Sequence, residues 1–190
     1  MTKCVAPKCP APAVEGLFCG IHAKAPPGQR GGWVSAAKRK PYDATAIAPR
    51  LWIGSKPPLD CDLTNVDVLV LCAAEFQPDR MAFHGAIWRC PIPDDVLDKS
   101  EMRGVMKASA AVAKAIVEGK RVLVTCQMGL NRSALVIALA LHQLTTMSGE
   151  QIVSHIRKHR GQNALFNPWF VKKIVEIVGD GRPKRRRTAS

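Results

Sequence analysis

The sequence predicts an α/β fold: a central, mostly parallel sheet flanked by helices, joined to a small N-terminal metal-stabilised segment. Three observations lead there. Short apolar runs rich in β-branched residues alternate with helix-like stretches, and helices dominate towards the end, the order that builds a covered central sheet. The run VDVLVLCAA (66–74) is apolar at almost every position, as a strand buried on both faces requires. The first residues carry four candidate metal ligands and few large apolar side chains, too few for a core of their own.

Those ligands are Cys4, Cys9, Cys19 and His22, spaced C-x4-C-x9-C-x2-H. The set suits a tetrahedral zinc ion, and residues 1–23 resemble a short Cys3His zinc knuckle. Metal binding would supply the folding energy, and a full shell of protein ligands makes the site structural rather than catalytic. Residues 24–41 are rich in Pro, Gly and Lys/Arg and read as a basic linker.

Regular structure is expected over residues 42–179. LWIG (51–54), VDVLVLCAA and AIWRCPI (86–92) read as strands. Ser100 is placed to cap a helix running to about Glu118, with Gly119 as its stop. RVLVTC (121–126) is a further β-branched strand, and SALVIALALHQLTT (133–146) is apolar on most sides, as a buried helix is. Ser148 and Gln151 form a capping box for a helix to Arg160. Asn167 and Pro168 open a last helix that Gly179 ends. The charge run at 180–190 is expected to be a disordered basic tail.

The whole composition narrows the function. The chain has 190 residues, of which 47% are hydrophobic, yet no apolar run reaches the roughly 18 residues of a membrane span. Its start lacks the apolar stretch of an export signal, so an intracellular, cytoplasmic location is expected, or a nuclear one in a eukaryote. Seven cysteines, an odd number, favour thiols and metal ligands over a disulfide framework. A formal charge of +13 favours anionic partners.

The chemistry concentrates in VLVTCQMGLNRSALV (122–136). A strand ends at a thiol, and a helix begins after a short loop. Unpaired N–H groups and the helix dipole favour an anion there. Gly129 lets the loop curl into a nest of N–H groups, so Gln127, Met128, Gly129, Leu130, Asn131 and Arg132 are the expected phosphate binders. Arg132 adds a planar fork for two phosphate oxygens. The same field lowers the pKa of Cys126, making it a thiolate nucleophile aimed at phosphorus. Ser133 is placed to donate to that thiolate and ease its departure.

CQMGLNRS resembles the C-x5-R-[ST] signature of cysteine-dependent protein tyrosine phosphatases, in particular the dual-specificity branch. ATAIAPRLWIGSKPP (44–58), VDVLVLCAAEF and NALFNPWFVKKI resemble the opening strand, a core strand and the closing helix of that family, together spanning about residues 42–178. The resemblance implies a phosphocysteine route for phosphotyrosine, and for phosphoserine and phosphothreonine, with no cofactor and a phosphorylated protein as substrate. It also implies a general acid. WRCPIPDDVLD offers Asp94, Asp95 and Asp98, and likeness to the family's I-P-I-x-D loop selects Asp94, with Asp95 as the alternative. One departure stands out: Thr125 occupies the position where the family usually has His, which implies a higher thiol pKa and lower activity.

Two other readings remain at this stage. GLNRS is similar to a stretch of RNA 5′-triphosphatases, and the basic linker and tail suit nucleic acid. A non-catalytic phosphate-binding relative would keep the fold without turnover. Members of the resembled family that prefer polyanionic inositol lipids often place Lys or Arg in this loop, so the uncharged Gln127, Met128, Leu130 and Asn131 imply other substrates.

Overall fold

The computed structural model describes residues 42–59, 63–79, 81 and 83–180. Cys4, Cys9, Cys19 and His22, the basic linker and the tail from 181 onward lie outside the described residues. The described chain forms β1 (Ala44–Ala48), β2 (Leu51–Gly54), β3 (Val68–Ala73), β4 (Ala86–Ile92), α1 (Lys99–Val117), β5 (Val122–Thr125), α2 (Arg132–Leu144), α3 (Gly149–Arg160) and α4 (Pro168–Val178).

The five strands make one mixed sheet in the order β1-β2-β5-β3-β4. β2, β5, β3 and β4 are parallel to one another, and β1 pairs antiparallel with β2. The turn between β1 and β2 uses Arg50 at φ 66, and its guanidinium donates to the Gly119 carbonyl. β4 is one of the two edge strands, so its Pro91 removes no ladder hydrogen bond that an inner strand would need.

Side-chain alternation sorts the core. Val68, Val70, Cys72, Val122, Val124 and Cys126 share one cluster with residues of all four described helices. Leu69, Leu71 and Leu123 point the other way, onto Tyr42, Ala44, Leu63 and Val66. The strand at 68–73 is buried at every position, as its continuous apolar run predicts. Helix α2 is buried from Arg132 to Leu141. No helix among the described residues is long and apolar enough to cross a membrane.

The helix boundaries follow the capping chemistry, with one correction. Ser148 accepts from the Gln151 N–H, and the Gln151 side chain accepts from the Ser148 N–H. Asn167 accepts from the N–H groups of Trp169 and Phe170. The cap of helix α1, however, is Asp98, two residues before the expected Ser100. Asp98 accepts from the N–H groups of Ser100 and Glu101, and Glu101 accepts from the Asp98 N–H. The Asp98-x-x-Glu101 spacing carries that signal in the sequence and outranks a lone serine.

Candidate active site

The parallel strands all end on one side of the sheet, where an open α/β sheet collects ligands. β5 ends at Thr125 and hands Cys126 to a loop that becomes α2 at Arg132. β2 ends beside it at Gly54, whose carbonyl accepts from the Cys126 N–H at 3.3 Å. β3 leads to Glu75 and β4 leads to Asp94.

The loop is tied from outside. The Gln127 carbonyl accepts from the Lys56 N–H at 3.1 Å, and the Leu130 carbonyl from the Leu165 N–H at 2.8 Å. The Met128 and Gly129 carbonyls accept from Arg160 Nη2 and Nε at 3.1 and 3.0 Å. Four successive carbonyls therefore point outward. In a trans peptide the next N–H lies on the opposite side, so the N–H groups of residues 128–131 are turned away from these anchors. Turned this way, successive N–H groups form a concave array able to hold an anion.

Cys126 sits at the bottom, 3% exposed. Burial pushes its thiol pKa up. The Ser133 hydroxyl, 3.3 Å from Sγ, and the N–H groups of Ser133, Leu130 and Gly129 outweigh that, so the net direction is down. The other described thiols show burial without the nest: Cys72 is raised well above its ordinary value and Cys90 is raised to about 11. Thr125 contributes nothing to the thiol by direct contact. Its hydroxyl donates to the Val70 carbonyl on β3 at 3.1 Å, inside the sheet.

Arg132 opens α2 and is 5% exposed. Its Nη2 donates to Glu75 Oε1 at 2.7 Å and its Nη1 to Oε2 of the same carboxylate. That pairing holds the Glu75 carboxyl below its usual range. Buried Nε has no partner among the described residues. The fork is thus fixed by Glu75 while the buried Nε–H remains for a ligand. Cys126 and Asp94 both lie close enough to stabilise its charge.

Asn131 precedes α2 at the cap position but makes no capping bond. Its amide is committed elsewhere: Oδ1 accepts from the Asn167 N–H at 3.2 Å, and Nδ2 donates to Asp94 Oδ2 at 3.1 Å. The first N–H groups of α2 are left without a side-chain cap, which suits an anion. Asn167 Nδ2 also approaches Asp94 Oδ1 at 3.5 Å. Asp95 instead accepts from the Val96 N–H at 2.7 Å. Of the two adjacent aspartates, Asp94 faces the loop.

The structure brings together Cys126, Gly129, Leu130, Asn131, Arg132, Ser133 and Asp94. Gln127 and Met128 contribute backbone while their side chains lie exposed at the rim. Sequence reasoning missed Glu75, Arg160, Leu165 and the second role of Asn167. Glu75, a carboxylate two residues past a buried strand, carried a readable signal. Arg160 closes the run RKHR and carried none. Among the described residues no group of three or more His, Cys, Asp or Glu is placed to hold a metal ion.

Gly129 tests how tightly the loop is seated. It has φ +66, and a Cβ there would lie 2.5 Å from the Gly54 carbonyl and 2.8 Å from the Ser55 nitrogen. Both neighbours are backbone and cannot rotate away. Gly129→Ala is expected to cost about 1–3 kcal/mol and to weaken phosphate binding, read as a lower melting temperature and a higher KM.

The same fold recurs in known proteins. The family described as "Dual specificity phosphatase, catalytic domain" matches residues 52–178. Human DUSP28 superposes with a TM-score of 0.62 at 25% identity, over 75% of this chain and 99% of that one. A mouse putative dual specificity phosphatase, solved with zinc tungstate, superposes at 0.61 with 22% identity, over 76% of this chain and 94% of that one. A human tyrosine phosphatase-like serine/threonine/tyrosine-interacting protein shares the fold at 0.61 with 17% identity, over 72% of this chain and 95% of that one. No curated protein matches the chain in sequence.

Proposed function

The chain belongs to the dual specificity phosphatase family, and from that premise we propose that it hydrolyses phosphotyrosine and phosphoserine/threonine monoesters of proteins through a phosphocysteine at Cys126. It is a cysteine-dependent phosphatase. The observation that carries the mechanism is the buried Arg132 Nε, unpartnered among the described residues, beside a thiol ringed by N–H groups.

The steps follow from that arrangement. The N–H groups of the loop and Arg132 Nε bind the nonbridging phosphate oxygens. The Cys126 thiolate attacks phosphorus; the S–P bond forms and the P–O ester bond breaks. Asp94 in its acid form gives its proton to the departing oxygen. Water then attacks the phosphocysteine, Asp94 takes a proton from that water, and the S–P bond breaks. The Ser133 hydroxyl and the loop N–H groups stabilise the departing thiolate. Glu75 holds the Arg132 fork in the plane this requires. No cofactor enters these steps.

Asp94 is supported over Asp95 by the Asn131 amide, which holds Asp94 toward the loop while Asp95 caps its own turn. Asp94→Asn is expected to lower kcat by about 10²-fold for alkyl leaving groups, and far less for a nitrophenyl leaving group, which departs without a proton. Asp95→Asn should stay within a few-fold of wild type. Steady-state kinetics on both substrates decides it; a greater loss in the Asp95 variant would reassign the acid. Phosphate release from phosphotyrosyl and phosphoseryl peptides, set beside a 5′-triphosphorylated RNA, tests the substrate class. Release from the RNA alone would overturn the protein reading.

Two finer proposals rest on the sequence alone. One is a structural zinc at Cys4, Cys9, Cys19 and His22. The other is nucleic-acid contact through the basic segments 24–41 and 180–190.

A further inference from the structure

We infer that Arg160 is a positioning residue of this site: it holds the phosphate loop in its anion-binding shape from outside, without touching substrate. The inference rests on reading residues 126–132 as the reaction centre.

Arg160 ends α3, and its side chain is 7% exposed. A guanidinium has five N–H donors, and here five acceptors meet it. Nε donates to the Gly129 carbonyl at 3.0 Å. Nη2 donates to the Met128 carbonyl at 3.1 Å and to Asp43 Oδ2. Nη1 donates to Asp43 Oδ1 at 2.6 Å and to Thr45 Oγ1 at 3.0 Å. One side chain thus joins two loop carbonyls to the chain at β1.

The consequence is electrostatic. The two peptides fixed by Arg160 carry the N–H groups of Gly129 and Leu130, two of the three that draw down the Cys126 thiol. If either peptide flips, an N–H leaves the anion and a carbonyl oxygen turns toward it. Each flip replaces an attraction with a repulsion. The loop's other outward ties come from backbone N–H groups of Lys56 and Leu165, which no side-chain substitution removes directly. Among the described residues, Arg160 is the side chain that donates to the outward carbonyls of the loop. Lysine cannot substitute, because one ammonium has three donors on one atom and no rigid fork.

The test needs no turnover. Alkylation of Cys126 by iodoacetate is followed against pH, and protection by inorganic phosphate is titrated, in wild type, Arg160→Gln, Arg160→Lys and Asp43→Asn. Arg121→Gln is the control: it breaks an ion pair with Asp67 at the opposite end of the sheet. Both Arg160 variants should move the alkylation midpoint upward by at least about half a pH unit and weaken phosphate protection about tenfold or more. Asp43→Asn should move both in the same direction by less. Arg121→Gln should lower the melting temperature and move neither. Folded Arg160 variants that match wild type in both readouts overturn the inference. If Arg160→Gln does not fold, Arg160→Lys and Asp43→Asn decide it by the same criterion. Failure of the site reading itself looks different: wild type would show neither a lowered midpoint nor protection by phosphate.

Discussion

Cys126→Ser is expected to cut phosphate release from a phosphotyrosyl peptide by on the order of 10⁴-fold or more. Serine fits the 3% exposed site without a change in packing, and the Ser133 hydroxyl can still pair with it. What is lost is the nucleophile. The loop N–H groups draw the thiol pKa down, but an alcohol ionises so much less readily that the same groups cannot make it a comparable nucleophile. The binding groups remain, since Arg132 and the backbone nest are untouched. The variant should therefore retain phosphopeptide while failing to cleave it. Phosphate release and fluorescence anisotropy on the same peptide check both halves. A loss of only tenfold would mean that water, not sulfur, attacks phosphorus.

Arg132→Lys should lower kcat by about 10³-fold, the scale of removing an arginine that stabilises a transferring phosphoryl group. The guanidinium performs two tasks at once. Two nitrogens grip Glu75, and Nε is kept for the ligand. A lysine ammonium is a single point and can serve one task at a time. Its charge survives, so the thiolate should keep part of its stabilisation. Catalysis should then fall much further than the rate of Cys126 alkylation at neutral pH. Kinetics and alkylation on one preparation separate these effects; parallel losses in both would reduce Arg132 to a simple source of positive charge.

Much of this was legible because it is local. The strand at 68–73, the caps at Ser148 and Asn167 and the strand–loop–helix unit around Cys126 each lie within a dozen residues of their cause. What the sequence did not reveal is what non-local contacts decide. The sheet order, with β5 between β2 and β3, and the antiparallel β1 depend on pairings across tens of residues. Glu75 meets Arg132 across 57 positions, and Arg160 meets Asp43 across 117. Thr125 is instructive for the opposite reason. It stands where the resemblance implies a His beside the nucleophile, and strand alternation turns its hydroxyl into the sheet. A sequence neighbour on a strand faces away from the next residue.

The outward ties at residues 127–130 all end on carbonyl oxygens, and Gln127 and Met128 point their side chains into solvent, Met128 with 61% of its surface exposed. The cradle is therefore written in the main chain, and the identities at its lip are free variables. Selection can exchange those two side chains to court a new substrate without disturbing the thiolate or the fold. A catalyst built this way changes its preferences more cheaply than its chemistry.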